Sequence, residues 1–191
     1  MFGRKKISRK EAKVEDLYTF YLHHGFDHTI EEISDRMGIG RKTFYNRYIS
    51  KENSIQQALQ ISHRQFVERY TEQRLHCNHS VEELVLFVWE FQRYAQQEKV
   101  YFQYDMGKRL FGSTEAPFKS VFESVVQKGL RCYHINEDVD LEMYADYFFV
   151  TLSYYALDNR LSGNVLQYIL CPLLNERGQE LLGELDLENS L

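Results

Sequence analysis

Two prolines, Pro117 and Pro172, and ten glycines in 191 residues leave few places to break a helix. So few breakers favour long helices over a many-turned sheet protein. Cysteine is scarce too. Cys77, Cys132 and Cys171 are an odd, widely spaced set, which gives no disulfide framework and fits a reducing cytoplasm. Long apolar runs are missing: "LVLFVWEF" and "YFFVTLSYYAL" are interrupted and fall short of the ~18 residues of a membrane span. The N-terminal "MFGRKKISRKEAK" has no apolar core, so no signal peptide is expected. No glycine-rich phosphate loop and no nucleophile elbow occurs. The Glu-x-x-His pairs of a di-metal bundle are also absent, and no enzyme activity or cofactor is expected.

What is present is apolar content, 43%, enough for a core, and an uneven charge. The formal net charge is -5. Yet residues 1–60 hold 11 Lys/Arg against 8 Asp/Glu, while residues 61–191 hold 12 against 20. A basic head on an acidic body suggests that the head alone meets a polyanion. From Arg36 to Lys51 there are five basic residues and no acid, interleaved with Phe44, Tyr45 and Tyr48. The earlier basic run, Arg4 to Lys13, is either a solvated terminus or an arm that tracks phosphates.

The apolar period is helical throughout. Val14, Leu17, Tyr18 and Tyr21 mark a first helix that Gly25 closes. Thr29 and Glu32 form a capping box at a second, which Gly38 ends. A third covers about Gly40 to Arg47, and Ser50 caps a long fourth. Ser80 with Glu83 reads as a second capping box. Further helices are expected near 100–111, from about Thr114 to Cys132, from Asn136 to Arg160, and over 164–183 with a kink at Pro172. That makes about nine helices and an all-α fold.

On the third helix, Phe44 and Tyr48 lie four apart and face the core with Ile39. Arg41 with Tyr45, and Lys42 with Asn46, face outward. Two short helices joined at a glycine, the second presenting Arg, Lys and Asn, describe a helix-turn-helix. Arg and Asn are the side chains that read guanine and adenine edges.

The segment "TIEEISDRMGIGRKTFYNRYISKENSI" resembles the DNA-binding motif of the TetR family of bacterial transcriptional regulators. Thr29, Ile33, Gly38, Ile39, Thr43, Phe44, Tyr45, Tyr48, Lys51, Glu52 and Ile55 carry the match, with Phe20 and Gly25 upstream. The chain departs from the pattern at Ser34, Gly40 and Lys42. The resemblance implies a three-helix DNA-binding head, residues 1–52, and a helical body for effector binding and dimerisation, residues 53–191. It implies Arg41, Lys42 and Thr43 near bases, and Thr29, Tyr45, Tyr48 and Lys51 on phosphates. It further implies a cytoplasmic homodimer on an operator duplex, usually a repressor released by a small molecule. The alternatives are control by a protein partner and, less favoured, a helical-bundle enzyme.

In the body, Trp89, Tyr94, Tyr101, Tyr104, Phe118 and Phe122 are candidates to line a mainly apolar pocket for an aromatic effector. Val139, Met143, Tyr147, Val150, Tyr154 and Leu157 form an apolar stripe, widened by Tyr144, Phe148, Leu152 and Tyr155. This stripe is expected to pair with residues 164–174 and with the same helices of a second subunit. "HHGFDH" (His23, His24, His28) and "HCNH" (His76, Cys77, His79) lack the paired ligand spacing of a metal site, and none is expected.

Overall fold

A computed structural model of the chain describes residues 11–112, 116–185 and 187, with side chains from Val14 onward. The basic residues from Arg4 to Lys10, and Thr114, lie outside them. Among the described residues there are ten α-helices and a single isolated bridge, Ile135 with Leu174, in place of any strand. The chain forms two compact units, Met1–Arg64 and Gln65–Leu191. The division falls within the fourth helix and not at its start.

The first unit holds α1 (Glu11–His24), α2 (Ile30–Arg36), α3 (Arg41–Tyr48) and the first part of α4 (Lys51–Gln73). Leu17, Phe20 and Tyr21 of α1, Ile33 of α2, Phe44 and Tyr48 of α3, and Ile55, Ala58 and Leu59 of α4 are its core. This is why the first turns of α4 belong to the head. The Ser54 hydroxyl donates to the Lys51 carbonyl at 2.6 Å, so at 2.7 Å from Tyr21 it acts as acceptor. The Tyr21 phenol is pushed up to about 12 by burial, which keeps it a donor. Gly25 closes α1 at φ 76°, its N–H donating to the Tyr21 carbonyl at 2.8 Å.

The second unit holds the rest of α4, α5 (Ser80–Gln97), α6 (Lys99–Lys108), α7 (Pro117–Arg131), α8 (Leu141–Leu157), α9 (Gly163–Leu170) and α10 (Glu176–Glu184). Helix α5 is its spine and packs against α6, α7, α8 and α10. Phe87 and Phe91 of α5 sit among Phe66, Phe118, Phe148 and Phe149. Phe122 stacks on Phe148 with centroids 4.4 Å apart. Polar residues also enter this interior. Glu83 is buried and pairs with Lys128 and, at 3.6 Å, with Arg74. Glu90 is buried against Arg69 at 3.2 Å, Arg93 at 2.9 Å and the Gln73 amide at 2.8 Å. Arg69 also reaches the buried Glu98 at 3.3 Å.

Several expected boundaries move, each for a local reason. The helix expected from Asn136 begins only at Leu141, because the Asn136 Oδ1 accepts the Asp138 N–H in a turn that competes with helix. Asp140 then caps α8, accepting from Glu142 and Met143 at 3.1 Å. Pro172 does not kink a helix but separates α9 from α10, since it supplies no N–H to continue the ladder. The last segment is therefore two helices, which raises the count from nine to ten. Ser80 is not the cap of α5. His79 is, its Nδ1 accepting from the Glu82 N–H at 3.2 Å, while the Ser80 hydroxyl bonds to His134 Nδ1 at 2.8 Å. Helix α6 ends at Lys108, where Arg109 turns to φ 57°, and α7 places Pro117 in its first turn as expected.

Candidate nucleic-acid interface

Helix α2 starts on the capping box that its sequence announces. The Glu32 N–H donates to the Thr29 hydroxyl oxygen at 3.3 Å, and the Thr29 N–H donates to Glu32 Oε2 at 2.8 Å. The Thr29 hydroxyl also donates to that carboxylate at 3.1 Å. These bonds, the backbone one first, hold the Glu32 carboxyl below the usual carboxylate range. Thr29 is exposed but already engaged.

The turn between α2 and α3 has Gly38 at φ 65°. Its N–H donates to the Asp35 carbonyl at 3.1 Å, and the Ile39 N–H donates to the Ser34 carbonyl at 2.9 Å. This is a Schellman closure, and the left-handed residue in it favours glycine. Gly40 is then the N-cap of α3 and contributes no side-chain bond. The backbone turn fixes where α3 points.

Helix α3 is anchored by Phe44 and Tyr48, whose rings lie 4.9 Å apart. Arg41, Lys42, Tyr45 and Asn46 are exposed, and Thr43, Arg47 and Lys51 are half-buried. Four of the residues expected at DNA thus share the outer side of one two-turn helix. Tyr48 does not join them. It is 1% exposed and belongs to the core, because its four-residue spacing from Phe44 gives it the same inward face. Of the two tyrosines expected on phosphates, Tyr45 alone is presented to solvent.

Two features escaped the sequence reading. Arg41 Nη2 lies 2.6 Å from Glu31 Oε1, an ion pair that ties the first turn of α2 to the first residue of α3. Glu31 precedes the acid-free stretch, and only the turn brings it back. Ile49, which links α3 to α4, sits at φ 66° and is 75% exposed. A β-branched residue in that region has no local signal to announce it.

In the second unit, Tyr94, Tyr101, Phe118 and Phe122, all candidates for an effector pocket, are at most 1% exposed. Tyr94 stacks on Phe118 at 5.3 Å and donates to the buried Asp105 at 2.7 Å. Trp89 and Tyr104 are half-buried, the latter beneath the Lys108 ammonium. The first four rings fill the core. A cleft of about 720 Å³ lies elsewhere, between the end of α6 and α8, lined by Met106, Phe111, Phe149, Val150, Tyr154 and Leu157 among others. Phe122 borders another cleft, of about 370 Å³, with Leu141 of α8.

Helix α8 has two apolar faces. Tyr144, Phe148, Phe149, Leu152 and Ala156 are buried, and the Tyr144 hydroxyl donates to the Ile169 carbonyl of α9. Met143, Tyr147, Val150 and Tyr154 form an exposed stripe, beside the exposed Tyr168 of α9. The histidines have local roles: His24 and His28 pack on Phe20, and His79 caps α5. No helix among the described residues is long and apolar enough to cross a membrane.

No protein-family model and no curated protein matches the chain. Solved structures do. A putative TetR-family transcription regulator from Shewanella sp. PV-4 is 13% identical, with a TM-score of 0.62 over 88% of this chain and all of that one. RolR in complex with the ligand resorcinol is 13% identical, with a TM-score of 0.61 over 92% of this chain and 93% of that one. The superantigen PfiT is 10% identical, with a TM-score of 0.65 over 91% of this chain and all of that one, so the fold alone does not assign an activity. At these identities the likeness is one of architecture, and the chain has the all-helical fold of TetR-family transcription regulators.

Proposed function

We propose that the chain is a cytoplasmic DNA-binding transcriptional regulator of the TetR type, a repressor that binds a near-palindromic operator as a homodimer. The observation that carries this reading is the short α3, rooted by Phe44 and Tyr48 and offering Arg41, Lys42, Tyr45 and Asn46 beyond a glycine turn. Arg41, Lys42, Thr43 and Asn46 would reach base edges. Tyr45, Lys51 and Thr29 would hold phosphates. The exposed stripe of α8, with Tyr168 of α9, supports an isologous pairing of two copies, which places the two copies of α3 on a two-fold and makes the operator a near-palindrome.

The regulating signal in this reading is a small, mainly apolar or aromatic effector. The resorcinol-bound RolR is a precedent on the same fold. Close packing of the aromatic cluster supports a site in the cleft between α6 and α8 instead, which has the volume of a small-molecule site and shares Val150 and Tyr154 with the pairing stripe. An effector there releases DNA only by preferring the DNA-free state. The packed cluster also favours a second reading, control by a protein partner.

Selection of bound duplexes from random DNA tests the reading. The wild type should enrich a near-palindrome. Arg41→Ala should cost roughly 1–3 kcal/mol and relax one position per half-site. Lys51→Ala should weaken all duplexes alike and lower the salt slope by about one. Failure to enrich any motif overturns the reading. A thermal-shift screen of aromatic metabolites separates effector from partner control.

A further inference from the structure

The ion pair between Glu31 and Arg41 joins a residue at the front of α2 to the first residue of the helix that would enter the groove. Both side chains are well exposed, 48% and 61%. An isolated exposed pair of this kind adds little to stability. Its effect is on where a guanidinium points and what it can still bind. Adjacent acids divide the work: Glu32 closes the capping box on Thr29, and Glu31 is left to reach Arg41.

Arginine has five N–H donors in a planar fork. Glu31 engages it through Nη2. The rest of the fork stays available to the two acceptors of a guanine edge. At the same time the carboxylate offsets the charge that would draw Arg41 to any phosphate, and it repels phosphates in its own right. The arrangement therefore weakens sequence-independent contact at this residue and favours contact that needs a matched base.

We propose that Glu31 is a positioning residue for sequence discrimination: it holds Arg41 off the phosphate backbone and aims the open side of its guanidinium at a base edge. This inference rests on the DNA-binding reading above. It predicts changes of opposite sign, which a merely structural role would not produce. Glu31→Gln should bind random duplex more tightly, with a salt slope steeper by about one because a repelling charge is lost. Its enriched motif should lose preference at one base pair per half-site, by about tenfold. Glu31→Asp should retain part of that preference. In an Arg41→Ala background, Glu31→Gln should leave the motif unchanged, since the residue it positions is gone.

The experiment is the random-duplex selection, run on the full chain and these variants at two salt concentrations, with helix content followed by circular dichroism. Looser preference with stronger non-specific binding upholds the inference. An unchanged motif in Glu31→Gln, or weaker binding to every duplex, overturns it while leaving the DNA-binding reading intact. A wild-type chain that enriches no duplex overturns both.

Discussion

At Ser34 a hydroxyl is buried on α2 with no hydrogen-bond partner among the described residues. A buried, unanswered polar group is a cost, because it gives up water and receives nothing in exchange. Alanine is common here in the family that the segment resembles, and it removes the group without enlarging the side chain. Ser34→Ala should raise the stability of the chain by about 1 kcal/mol, measured as a shift of the denaturant midpoint at constant slope. A strained backbone position lies fifteen residues on, at the end of α3. Ile49 holds φ 66° on a side chain that is mostly in water, so it forfeits little packing if removed. Ile49→Gly should also stabilise, by up to about 1 kcal/mol, once the relief of backbone strain is set against glycine's greater unfolded entropy. A lower midpoint would mean that Ile49 makes contacts its exposure conceals.

Among the described glycines, the one with least room for a side chain is Gly178, where α10 meets the turn before α8. A Cβ built on Gly178 would meet the His134 carbonyl oxygen at 2.1 Å. The obstacle is backbone, and the same carbonyl accepts the Asn175 N–H at 3.3 Å, so the turn has little freedom to retreat. Gly178→Ala should destabilise by roughly 1–3 kcal/mol, and a thermal melt that matches the wild type would show that α10 can move aside. The Gly178 contact also shows what a sequence does and does not disclose. Gly25, Gly38 and the Thr29–Glu32 box were legible because each device closes within about five residues. His79 as a cap, the Asn136 turn and the separation of α9 from α10 are just as local, but each competes with a second local signal, the Ser80–Glu83 spacing or an unbroken helical period, that points the other way. Ser80 reads as a cap locally, but His134 takes its hydroxyl. Likewise the helical period assigned Phe118 and Phe122 to an interior, without telling a filled interior from a hollow one.

For the molecule as a whole, the charge division and the α8 stripe act together. In the proposed reading, repulsion between an acidic body and DNA would confine contact to the head, and a second copy would double the number of heads that bind. Val150 is 73% exposed at the middle of the stripe. Val150→Asp should leave the fold intact and give a monomer on sedimentation at micromolar concentration, because pairing would bury an unmatched carboxylate. A wild type that sediments as a monomer, or a variant that still dimerises, would remove α8 from the interface.

The carboxylates inside α5 bear on how such a protein can change over generations. Glu90 is shared by Arg69, Arg93 and Gln73, and Arg69 in turn by Glu98. Losing one member strands a charge in the interior, which is far worse than exchanging the whole group for apolar residues. Single steps away from the cluster therefore pass through a poorly folded intermediate. Its members should be inherited together, and a descendant that has lost Arg69 should have replaced both Glu90 and Glu98, since each is buried against it.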